Sequence, residues 1–103
     1  MSISKQRLEQ QAARLLAEII HDELHDPRLP MFVGIERVDL SPDNASAVVY
    51  VSALERTADT VNILNHAHSF LQDELAQHMK LRRIPRLRFV EAADRSYPRS
   101  GGR

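Results

Sequence analysis

Two short stretches of this chain could do chemistry. The first is His21-Asp22-Glu23-Leu24-His25, which places two imidazoles one helical turn apart, as in the H-E-x-x-H helix that binds zinc and carries a glutamate base. The match fails in detail. Position 22 is Asp, one methylene shorter than the base the motif needs, and no second motif supplies a third ligand. Arg14, Glu18, His21 and His25 also share the helix face opposite the leucines, which is where an amphipathic helix keeps its solvated side chains. The second stretch is Lys80-Leu-Arg-Arg-Ile-Pro-Arg-Leu-Arg, whose guanidinium groups are suited to bidentate phosphate contacts.

The overall charge is zero, yet its distribution is lopsided. Residues 80–103 hold eight basic side chains (Lys80, Arg82, Arg83, Arg86, Arg88, Arg95, Arg99 and Arg103) against Glu91 and Asp94, a net +6 that leaves −6 on the other 79 residues. A basic segment on a neutral chain is an electrostatic footprint for a polyanion. Other chemistries are excluded by composition. With no cysteine there are no disulfides, thiol nucleophiles or cysteine metal clusters. With only Gly34, Gly101 and Gly102 there is no phosphate-cradling loop and no G-x-x-G clamp for single-stranded RNA. No apolar run approaches a membrane span, and the polar N-terminus lacks a signal-peptide core, so a cytoplasmic protein without cofactor or metal is expected.

The elements that must position these residues follow from spacing. Leu8, Ala12, Leu15, Leu16, Ile19 and Ile20 form one helical stripe, predicting a helix over about 5–25 with Ser4 as N-cap and an end at Asp26-Pro27. A strand over 32–40, the turn Ser41-Pro42-Asp43-Asn44 and a strand over 45–54 predict an antiparallel hairpin. Alternation puts Ala45, Ala47, Val49, Val51 and Ala53 on the face toward the helices. Residues 57–81 read as helical, with Val61, Leu64, Leu71, Leu75 and Met79 inward and Thr57 or Asp59 as cap. Unbroken from Asp59, that rod would reach about 34 Å. His78 follows Leu64 and Leu71 at intervals of seven and is expected to be partly buried, whereas His68 is expected to face outward. Leu87 and Phe89 alternate with Arg86 and Arg88, predicting a strand with one greasy and one basic face. The order α-β-β-α-(α)-β predicts an α+β domain over 1–93, with helices on one face of a three-stranded sheet, followed by a flexible basic tail over 94–103.

The segments from Asp26 to Leu29, from Val38 to Ser52 and from Leu81 to Ser96 together resemble the ribosome-binding factor A family. Asp26-Pro27-Arg28-Leu29 is similar to its D-P-R-L signature, and the stretch from Val38 to Ser52 to its strand-turn-strand. The run from Leu81 to Phe89, followed by Asp94-Arg95-Ser96, resembles its L-R-x-x-P-x-L-x-F and D-x-S pair, in the same order and spacing. The resemblance spans about residues 5–96 and implies a type II KH-like fold, in which a helix interrupted at an A-x-G kink replaces the G-x-x-G loop. The matching residues here are Ala67, His68 and Ser69, with serine where the family has glycine. After D-x-S the family's usual continuation gives way to a short Pro/Gly/Arg tail. The resemblance also implies a non-catalytic assembly factor. It would bind the free small (30S) ribosomal subunit and 16S rRNA during late maturation and rRNA processing, notably in the cold, with an assembly GTPase as a partner in release. On this reading Lys80, Arg82, Arg83, Arg86 and Arg88 grip rRNA phosphates, Arg95 and Arg99 add charge, His68 and Ser69 touch the RNA, and the chain acts as a monomer. The rival reading is a protein-interaction module whose basic strand meets an acidic partner.

Overall fold

The structure is a computed structural model that describes residues 2–92. The element order is α1 (Ser2–Asp22), β1 (Val33–Leu40), β2 (Ser46–Ala53), α2 (Thr57–His66), α3 (His68–Met79) and β3 (Arg86–Glu91). The sheet runs β1-β2-β3, with β1 antiparallel and β3 parallel to β2. This is the α-β-β-α-α-β arrangement of a type II KH-like domain, with a mixed three-stranded sheet.

The apolar stripe of α1 lies where its spacing puts it. Ala12, Leu15, Leu16, Ile19 and Ile20 are buried against Val38 of β1, Ala47, Val49 and Val51 of β2, and Leu87 and Phe89 of β3. Leu64, Leu71 and Leu75 complete the core from α2 and α3. Thr60 is also fully buried. Its hydroxyl donates to the Arg56 carbonyl at 3.0 Å, so a polar side chain enters the core with its hydrogen bond made.

The hairpin turn is built by its own side chains. Ser41 Oγ donates to Asp43 Oδ1 (2.8 Å), and the same oxygen accepts the Ala45 N–H (3.0 Å). Asn44 takes φ 60°, a left-handed conformation that asparagine tolerates. The hydroxyl and N–H bonds stabilise the Asp43 carboxylate and hold its pKa below the ordinary value.

Element ends depart from expectation in four places. Ser4 lies inside α1, which begins at Ser2, and α1 ends at Asp22 rather than His25. There the N–H groups of Glu23 and Leu24 both turn back onto the Ile19 carbonyl (2.7 and 3.1 Å), closing the helix ahead of Asp26-Pro27. Neither Thr57 nor Asp59 caps α2; its cap residue is Arg56, left-handed at φ 54° with no side-chain hydrogen bond. The second helical region ends at Met79, because Lys80 is left-handed at φ 53° and returns its N–H to the Ala76 carbonyl (2.9 Å).

Side chains on the helices pair backbone groups on both edges of the sheet, one on β1 and three on β3. The Leu40 N–H on β1 donates to Glu9 Oε2 of α1 (2.8 Å). On β3, Asn65 of α2 takes the Phe89 N–H on Oδ1 (2.8 Å) and donates Nδ2 to the Phe89 carbonyl (2.9 Å). Gln72 of α3 accepts the Leu87 N–H (2.9 Å). Edge groups that would otherwise stay open to another strand are thereby paired within the domain.

Candidate nucleic-acid interface

The alternation of β3 separates its two faces completely. Leu87 and Phe89 are 4% and 1% exposed, whereas Arg86 and Arg88 are exposed on the face that no helix covers. Parallel pairing sets Arg86 beside Ser46 and Arg88 beside Val48 of β2. The next row brings Arg37 of β1 opposite Tyr50, with its guanidinium 4.1 Å from the ring centroid and its Nε 3.2 Å from Asp39 Oδ1. The bare sheet face therefore carries Arg37, Arg86 and Arg88 with one aromatic ring, which charge patterning along the chain did not bring together.

Lys80, Arg82 and Arg83 stand in the loop that joins α3 to β3, and all three are exposed or partly exposed. Pro85 is buried and fixes the return into the strand. Arg82 and Arg83 border a cleft of about 340 Å³ walled by Leu8, Leu40, Met79 and Leu87. Arg83 also adds to the field at Asp43, which places the loop beside the hairpin turn. Lys80, Arg82, Arg83 and Arg86 thus gather at one end of the sheet, with Arg88 one row further along. None of these five forms an ion pair among the described residues, whereas Arg28, Arg37 and Arg56 each hold a carboxylate.

The helical region divides at Ala67, whose φ of −94° and ψ of 13° leave the helix for a single residue. Its N–H still reaches the Ile63 and Leu64 carbonyls (3.1 Å each), and its carbonyl accepts the Leu71 N–H (3.1 Å). The His68 imidazole takes over the next group, with Nδ1 2.9 Å from the Asn65 carbonyl. That bond holds His68 half-buried, short of the outward position expected, while Ser69 is exposed and the neighbouring Phe70 is 39% exposed. His78 is exposed rather than partly buried, its Nδ1 lying 2.8 Å from the Glu74 carbonyl. The break and the basic loop occupy opposite ends of α3, roughly 17 Å apart along its axis. Arg95 and Arg99 lie outside the described residues, as does the tail over 94–103.

His21 and His25 are both exposed or nearly so, and His21 Nδ1 lies 2.8 Å from Asp22 Oδ1. Among the described residues no group of three or more histidine or carboxylate side chains is placed to hold a metal ion. No helix among them is long and apolar enough to cross a membrane. Asn65 and Gln72, which tie both halves of the broken helix to β3, are structural anchors that the apolar pattern alone does not reveal. Their signal was available: two amides seven apart, each one residue after an inward leucine.

Comparison with known proteins gives a consistent result. The family model for ribosome-binding factor A matches residues 4–100. A curated ribosome-binding factor A from Psychrobacter arcticus is 42% identical over 94 residues, covering 82% of this chain and 70% of the relative. The crystal structure of ribosome-binding factor A from Thermus thermophilus superposes with a TM-score of 0.77 at 39% identity, covering 84% of this chain and 94% of that one. A Thermus thermophilus ribosome-binding factor A model fitted into the cryo-EM map of a 30S complex gives a TM-score of 0.72 at 38% identity, covering 84% of this chain and 93% of that one.

Proposed function

The chain belongs to the ribosome-binding factor A family, and from that premise we propose that it binds the free small ribosomal subunit through 16S rRNA during late maturation and rRNA processing, as a binding factor without catalysis of its own. One observation carries the reading: Lys80, Arg82, Arg83, Arg86 and Arg88, in the loop before β3 and on its bare face, form no ion pair among the described residues. A cationic group already paired gains little from a phosphate, because it must give up one anion for another. Unpaired Lys80, Arg82, Arg83, Arg86 and Arg88 meet phosphates at no such cost. His68 and Ser69 at the helix break form a second contact, spaced along α3 from the first. Arg95 and Arg99 add charge to the same interaction.

The mechanism is selective binding. A protein that prefers one conformation of immature rRNA shifts its population by the difference in affinity. Release then follows from a later rRNA rearrangement or an assembly GTPase. The factor acts as a monomer, in the cytoplasm where subunits mature.

Salt dependence tests this reading. Log affinity for purified small subunits should fall linearly with log salt, and each phosphate contact removed should flatten the slope by about 0.7–0.9. Replacing Arg82, Arg83, Arg86 and Arg88 by Gln should weaken binding and flatten the slope while leaving the unfolding curve in place, because all four are exposed. Equal affinity and equal slope in wild type and variant would reduce this band to a solvated surface and move the assignment to protein–protein interaction.

A further inference from the structure

Beyond RNA binding, a second surface stands at the other end of the molecule. Leu8 and Ala12 of α1 border the cleft beneath Arg82 and Arg83, whereas Ala17 to Asp22 of the same helix border a separate cleft of about 690 Å³. Ile20, Leu24, Leu29, Pro30, Met31 and Phe32 wall this second cleft. Met31 is 99% exposed and Phe32 58%. The pairing of Val33 with Ala53 sets Phe32 across from Leu54, itself 88% exposed. Three large apolar side chains are thus held out at one end of the sheet, where a small soluble domain gains nothing by showing them.

The loop that presents them is braced. Asp26 grips Arg28 through Nε (3.0 Å) and a terminal nitrogen (2.7 Å), and also accepts the Arg28 N–H (2.9 Å). The Leu29 N–H closes onto the Asp26 carbonyl (3.0 Å). The segment that follows is therefore aimed outward by a fixed turn.

Charge decides what could fit. Four carboxylates (Glu18, Asp22, Glu23 and Asp26) fall between residues 18 and 26, with no lysine or arginine among them. Arg28 neutralises Asp26, and His21 Nδ1 lies 2.8 Å from Asp22 Oδ1, with His21 and His25 also on the cleft wall; Glu18 on that wall and Glu23 beside it make no ion pair among the described residues. A phosphate backbone is repelled from this rim, and a neutral apolar partner leaves it unused. We propose that the cleft between the end of α1 and the 26–33 loop docks a cationic protein segment carrying bulky apolar side chains, which enter beside Met31 and Phe32 while its basic groups meet Glu18, Asp22 and Glu23.

The test uses the full chain and fluorescence anisotropy with a labelled peptide of alternating lysine and leucine. Its controls are the same peptide with serine for leucine, and a labelled oligouridylate. The lysine–leucine peptide should bind more tightly than its serine counterpart. Met31→Ser with Phe32→Ser should weaken it by about tenfold or more, the weight of one well-buried apolar side chain. Glu18→Gln, Asp22→Asn and Glu23→Gln together should weaken it comparably. Arg82→Gln with Arg83→Gln should leave it unchanged. Equal affinity in all variants, or equal binding of the serine peptide, would overturn the proposal. Oligouridylate binding that depends on Met31 and Phe32 would reassign the cleft to RNA, and a dimer that depends on them would reassign it to a second copy. Both outcomes refute the proposal, and neither bears on the basic band.

Discussion

Asn65 offers the sharpest test of how the broken helix is held. Its side-chain amide makes both hydrogen bonds that the outer edge of β3 needs at Phe89, accepting at 2.8 Å and donating at 2.9 Å. Asn65→Ala strands one N–H and one carbonyl beside a residue only 1% exposed. A buried backbone group left unpaired costs about 1–3 kcal/mol. Asn65 is itself half-buried, so water reaches part of the gap and the lower end applies, giving about 2–4 kcal/mol for the two groups. A domain of this size has only about 5–15 kcal/mol in all. With a urea dependence of about 1–1.5 kcal/mol per molar, the unfolding midpoint should drop by roughly 1.3–4 M. Gln72→Ala, which frees only the Leu87 N–H, should cost about half as much. Hydrogen exchange at the Phe89 amide should speed up in Asn65→Ala ahead of global unfolding. A loss below about 0.5 kcal/mol, with Phe89 still protected, would show that solvent satisfies this edge and that Asn65 does not anchor α2.

Three further outcomes are expected. Val49→Asp should abolish cooperative unfolding by forcing an unpaired charge into a fully buried site, whereas Tyr50→Ser on the opposite face should leave a folded domain; circular dichroism on heating separates them, and the reverse result would mean a register wrong by one residue. The side-chain and backbone hydrogen bonds from Arg28 hold the Asp26 carboxyl down to about 2 from an ordinary 3.8. Its stabilising contribution is therefore complete above about pH 3.8 and lost as pH falls through about 2. In Arg28→Gln the carboxyl midpoint seen by NMR should climb back toward 3.8, and an unmoved midpoint would sink the pairing. His21→Ala with His25→Ala should change stability by less than about 0.5 kcal/mol, since neither ring is buried; zinc bound in equal amount to the wild-type protein by elemental analysis would contradict that placement.

The sheet and the core were legible because one period governs each. Alternation across Ala47, Val49 and Val51 names the buried face, and the α1 stripe names its partner. Ends of helices were not legible, for a specific reason. Arg56 and Lys80 adopt left-handed conformations that sequence reading assigns to glycine, so nothing at either position marks a boundary. The break at Ala67 is invisible to periodicity as well. It lasts one residue, and Leu64 and Leu71 stay buried on either side of it. The same seven-residue spacing misled the reading of His78. His78 falls in the last turn of α3, one residue before the helix ends at Met79, and is exposed there with its ring bonded to the Glu74 carbonyl.

The candidate site was legible as charge and not as shape. Eight basic residues in the last stretch of chain are the pattern expected for a polyanion partner, whatever their arrangement in space. Only the parallel pairing of β2 with β3 shows that Arg86 and Arg88 leave the helical side and share the bare sheet face with Arg37 and Tyr50. Part of the acidic excess, Glu18, Asp22 and Asp26, lines the other cleft, at the end of α1. α1 runs from the basic cleft at Leu8 and Ala12 to the acidic one at its last turns, and from Leu8 to Asp22 its axis rises about 21 Å. That distance is between two and three screening lengths at physiological salt, where fields decay over about 8 Å. The field of one end is therefore strongly damped at the other. Neutralising Glu18, Asp22 and Glu23 should leave the salt slope for small-subunit binding unchanged, whereas a steeper slope in that variant would mean that the acidic pole repels the RNA and that the two ends share one ligand.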